Sequence, residues 1–128
     1  MAGANANPAQ RRLQLRASFS DATLEGRSEF LARHEEMSAL YPIPPFAFMR
    51  QMQAITGHDT GARLGAVKIP TIVMAGLDDV LVPPANAKML AEKIPGAILK
   101  ELPGGHLFFT EFPELFNPLV IDFVRSHP

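Results

Sequence analysis

Two residues have the type and the surroundings for acid–base chemistry. His106 follows two glycines in LPGGHLFF, residues 102–109. Asp79 lies three residues beyond Gly76, where the apolar run IPTIVMAG of residues 69–76 stops. An imidazole can take up and return a proton near neutral pH. A carboxylate near the imidazole fixes its tautomer and stabilises the imidazolium. Together the two residues would make a general base with its orienting acid, a pair suited to activating a nucleophile. Each alone also has an ordinary reading. An aspartate after a strand often forms an Asx turn or a helix cap, and a histidine after Gly-Gly can be a plain turn residue. Asp78 is a neighbouring carboxylate, one residue early in the loop.

For the two residues to meet, the chain must bring residues 79 and 106 to one edge. The run 69–76 is β-branched early and apolar throughout, as in a strand buried on both faces. Residues 78–84, DDVLVPP, read as a loop, and Pro83-Pro84 start a helix over 85–94 that Pro95-Gly96 stops. AILKEL, 97–102, is a second strand, and PGGH, 103–106, is a turn. Phe112, Leu115, Phe116, Leu119, Val120 and Phe123 then mark an amphipathic helix, with Asn117-Pro118 expected to interrupt and restart it. Strand–helix–strand order predicts a parallel pair, whose strand-end loops open at the same sheet edge. The fold class is therefore α/β, a parallel βαβα unit.

Residues 1–67 have a different pattern. Apolar residues from Leu24 to Leu40 fall near a helical stripe over 22–40, YPIPP breaks it, and a second stripe runs from Phe46 to Ile55. GHDTG, 57–61, closes that helix. The boundary near Lys68 divides the chain into a helical segment, 1–67, and a βαβα part, 68–128. Arg11, Arg12 and Arg16 precede the first acidic residue, Asp21, in a stretch read as a polar lead-in.

The 128 residues suit one domain with a real core. Apolar residues make up 47% and charged residues 20%, which is globular composition. A net charge of −1 gives no pull toward nucleic acid or an anionic membrane. No apolar run reaches the roughly 20 residues of a spanning helix. The absence of cysteine excludes disulfides and thiolate chemistry, and with no secretory h-region the chain reads as cytoplasmic. His34-Glu35 fails as a zinc pair because position 38 is serine, and His58-Asp59 reads as a turn. No cofactor is implied. The methionines read as core or cap packing.

IPTIVMAGLDDVLVPP followed by LAEKIPGAILKELPGGHLFFTEFPELFNPLVIDF resembles the C-terminal end of α/β-hydrolases. Gly76, Asp79 and Pro83 match the family's glycine–acid–proline spacing, and Gly104-Gly105-His106 match its histidine turn. The resemblance covers about residues 50–126, and only loosely the earlier residues, which are similar to part of a helical cap. It implies that Asp79 is the acid and His106 the base of a serine-hydrolase triad. It also implies a small acyl or ester substrate and a carboxylesterase-like activity.

The triad's nucleophile is missing. Ser18, Ser20, Ser28, Ser38 and Ser126 all lack the G-x-S-x-G setting, and there is no HGGG-like oxyanion loop. By resemblance the chain is the cap and the last third of a hydrolase. Three readings stay open: a hydrolase whose nucleophile is unrecognised, a catalytically inactive remnant serving as an interaction module, or one piece of a divided or truncated enzyme. With only two strands, the chain is expected to pair with a homodimer partner or a complementary chain.

Overall fold

A computed structural model describes residues 8–127. Four helices come first: α1 (Pro8–Ser18), α2 (Asp21–Gly26), α3 (Ser28–Leu40) and α4 (Pro45–Thr56). A 3-10 segment, Gly61–Ala66, leads to β1 (Ile72–Gly76), α5 (Pro84–Lys93), β2 (Ile98–Leu102), α6 (Phe108–Glu111) and α7 (Pro113–Ser126).

β1 and β2 pair in parallel, in register from Ile72 with Ile98 to Gly76 with Leu102. The βαβα order read from the sequence is thus the order of the fold. α5 lays Ala87, Leu90 and Ala91 against Val73, Ala75 and Leu99, and this is the main apolar core. The strands are shorter than the apolar runs. Ile69–Thr71 precede β1, with Ile69 exposed. The expectation of burial on both faces fails as well. Val73 and Ala75 are buried under α5, while Ile72 and Met74 are only half-buried on the opposite face.

The helical half departs further from the periodicity. The polar lead-in is helical from Pro8, and residues 1–7 lie outside the described residues. The single helix expected over 22–40 is two. Ser20 caps α2, its Oγ accepting the Thr23 N–H at 3.3 Å, and Gly26-Arg27 end it before α3 begins. Asn117-Pro118 does not interrupt α7. Pro113 starts that helix, and Pro118, which has no N–H to donate, lies in its second turn, where both it and Glu114 are exposed residues. Met37, Met49, Met52 and Met89 are all substantially exposed, not core. Among the described residues no helix is long and apolar enough to cross a membrane.

Candidate active site

β1 ends at Gly76 because the chain must pass close to the histidine loop there. A Cβ on Gly76 would stand 2.2 Å from the Gly105 carbonyl oxygen and 2.5 Å from that of Gly104. The contact is stitched by backbone bonds. Leu77 N–H donates to the Leu102 carbonyl at 2.8 Å and Asp78 N–H to the Gly104 carbonyl at 2.9 Å. Gly104 has φ +109°, a conformation that side-chain-bearing residues rarely adopt. These bonds tie the Asp79 loop to the His106 loop, as parallel strands ending at one edge require.

The two side chains meet. His106 Nδ1 lies 2.9 Å from Asp79 Oδ2. The other carboxylate oxygen, Oδ1, accepts the N–H groups of Leu81 at 2.9 Å and Val82 at 2.8 Å. Asp79 is therefore held by three donors with its side chain 6% exposed, whereas the His106 side chain is 39% exposed. With the carboxylate ionised, Nδ1 carries the proton and donates it to Oδ2. In the neutral ring that tautomer leaves the lone pair on Nε2, which has no hydrogen-bond partner among the described residues. Asp78 is exposed and makes no hydrogen bond or ion pair with His106. An open cleft of about 340 Å³ lies beside Asp79, bordered by Arg16, Phe19, Asp21, Leu77 and Val80. It does not include His106.

The other sequence candidates take no part. Asp59 Oδ1 accepts the Gly61 N–H at 2.9 Å in a local turn. His34 sits edge-on to Phe19, ring centroids 4.8 Å apart, and is half-buried. Sequence reasoning missed Glu111, which is 1% exposed and hydrogen-bonds to both Ser20 and Gly105. Its one signal is a lone carboxylate inside the aromatic run FFTEF.

No family model matches the chain. A protein of Caulobacter sp. (strain K31), bearing the provisional name carbamate hydrolase RutD, is 37% identical over 94 residues, which is 72% of this chain and 35% of that protein. MGS-M2, an α/β-hydrolase enzyme from a Medee basin deep-sea metagenome library, superposes with a TM-score of 0.77 at 25% identity over 91% of this chain. The chain belongs to the α/β-hydrolase fold family. A further structural neighbour, Est816, described as an N-acyl homoserine lactone degrading enzyme, superposes with a TM-score of 0.70 at 27% identity. The chain spans 44% of MGS-M2 and 48% of Est816, so it matches less than half of each structure.

Proposed function

We propose that Asp79 and His106 are the acid and base of a hydrolase acting on carboxylic esters or related acyl substrates. The observation that carries the reading is the 2.9 Å contact between His106 Nδ1 and a buried carboxylate, with Nε2 left without a partner among the described residues. In this reading Nε2 takes the proton of an attacking hydroxyl, Asp79 stabilises the imidazolium, and His106 returns the proton to the leaving group. Carbamates, lactones and esters all present a carbonyl to such a nucleophile. The names carried by RutD and Est816 therefore support the acyl class without selecting one member of it. No serine of this chain stands in a nucleophile elbow, so the reading leaves the nucleophile unassigned within these 128 residues.

A partner chain belongs to the same proposal. The described sheet has only two strands, which leaves one edge of β1 unpaired. On α4, Phe46, Met49 and Ile55 are well exposed. A free strand edge and an apolar helix face both favour association, and a homodimer is the proposed arrangement.

The test is hydrolysis of an activated ester and an aryl carbamate. The purified chain is assayed alone and mixed with the nucleophile-bearing half of a related hydrolase. Turnover in either setting that falls by orders of magnitude in His106→Ala is the expected result. Turnover unchanged in His106→Ala would place the activity elsewhere. Absence of turnover in both settings, with the chain folded, would favour the inactive interaction module.

A further inference from the structure

Among the described residues, buried carboxylates occur at Asp79 and at Glu111. The proposed chemistry employs the first and leaves the second unexplained. A carboxylate removed from water is costly unless donors replace its hydration. Glu111 has three. Its Oε1 accepts the Gly105 N–H at 2.6 Å. Its Oε2 accepts the Ser20 N–H at 3.1 Å and the Ser20 hydroxyl at 2.7 Å. Arg27 donates to the Glu111 backbone carbonyl from the start of α3. The side chain thus bridges two segments 85 residues apart, and one of its partners directly precedes His106.

The residue directly after His106 is held by the same segment. Leu107 N–H donates to the Ser18 carbonyl at 2.7 Å. Between these two ties, Gly105 lies flat against the Phe19 backbone, where a Cβ would come within 2.7 Å of the Phe19 carbonyl carbon. Residues 18–20 therefore grip the backbone on both sides of His106. Glu111 is the one side chain in that grip with hydrogen bonds to both halves.

We infer that Glu111 is a positioning residue for His106: its carboxylate, bridging Ser20 and Gly105, fixes the loop where Nδ1 meets Asp79. The inference rests on the reading of Asp79–His106 as the acid–base pair. It adds that residues 18–20, ahead of the strands, are part of what aims the base.

The test is nuclear magnetic resonance of the histidine rings in the whole chain, following exchange of the His106 Nδ1 proton with water. Glu111→Gln keeps the shape and turns one acceptor into a donor. Ser20→Ala removes one donor and leaves the carboxylate. Both variants are expected to melt cooperatively and to keep the His58 and His127 signals of the parent. In both, the His106 Nδ1 proton should exchange about tenfold faster or more, the scale of one buried charge-assisted hydrogen bond. An unchanged His106 signal in folded Glu111→Gln would overturn the inference. If that variant does not fold, Ser20→Ala decides alone on the same criterion. Asp79→Asn, measured in parallel, separates the two readings. No change at His106 in Asp79→Asn defeats the pair itself. A change there with none in Glu111→Gln defeats only the role given to Glu111.

Discussion

The loop carrying His106 and helix α4 are segments of similar length with opposite physical states. Between Leu102 and Glu111, the chain buries Leu102, Gly104, Gly105, Phe108 and Glu111 and is bonded to three other segments. α4 is as apolar in sequence, yet it buries no residue, and Phe46 is 66% exposed. Hydrophobicity alone therefore does not decide what is buried here. The His106 loop is fixed by backbone approach and donor–acceptor matching, which the chain completes by itself. α4 offers an apolar face for which the described residues provide no cover. The candidate chemistry sits in the self-sufficient part.

The sharpest way to break this contrast is at the closest backbone approach. Gly76→Ala would force a Cβ into the carbonyl oxygens of Gly104 and Gly105, neither of which can turn aside as a flexible side chain would. A loss of about 3 kcal/mol or more is expected, at the upper end of overpacking costs. Urea unfolding measures it, and a loss below about 1 kcal/mol would mean the approach is looser than described.

The opposite substitution tests the other side of the contrast. Phe46→Ser with Met49→Ser removes apolar surface that is already exposed. Stability should stay within about 0.5 kcal/mol for each change. Light scattering should show a shift toward single chains if α4 is an association surface. An unchanged assembly state would locate the contact elsewhere.

The smallest effect is expected at a tie between α1 and α3. Arg11 holds Glu35 by a two-pronged ion pair. That hydrogen bond, chiefly, and the charge of Arg11 lower the Glu35 pKa, against the opposing effect of partial burial. A carboxylate whose folded pKa is depressed adds stability above its unfolded pKa of about 4.3 and loses it as pH falls through the lowered folded value. Parent and Glu35→Gln should therefore differ in urea midpoint at pH 7 and converge in strong acid. Added salt should narrow the gap at pH 7, because the pair is largely exposed.

Legibility followed the same divide. Pro83-Pro84 and Pro95-Gly96 punctuate α5 in the sequence, and the parallel pair then brings Asp79 and His106 to one edge. That topology needs only local signals and a chain-order rule. Glu111 was illegible because its partners, Ser20 and Gly105, are set by a long-range packing that no periodicity encodes. The break at Gly26-Arg27 was hidden by an apolar stripe that continues across it. Pro118 looked like a helix restart because its missing donor can be judged only once Pro113 is known to begin α7. The exposed methionines misled for the reason α4 did: apolar patterning marks a face that wants cover, not one that has it.

The most direct test of the acid–base pair compares the two adjacent aspartates in the ester assay. Asp79 lies 2.9 Å from the imidazole, while its neighbour Asp78 makes no hydrogen bond or ion pair with the ring. Asp79→Asn should lower turnover by about 10⁴-fold, as loss of the orienting acid does in a triad. Asp78→Asn should stay within a few-fold of the parent. Equal losses in the two variants, or a larger loss in Asp78→Asn, would contradict the assignment of Asp79 and His106.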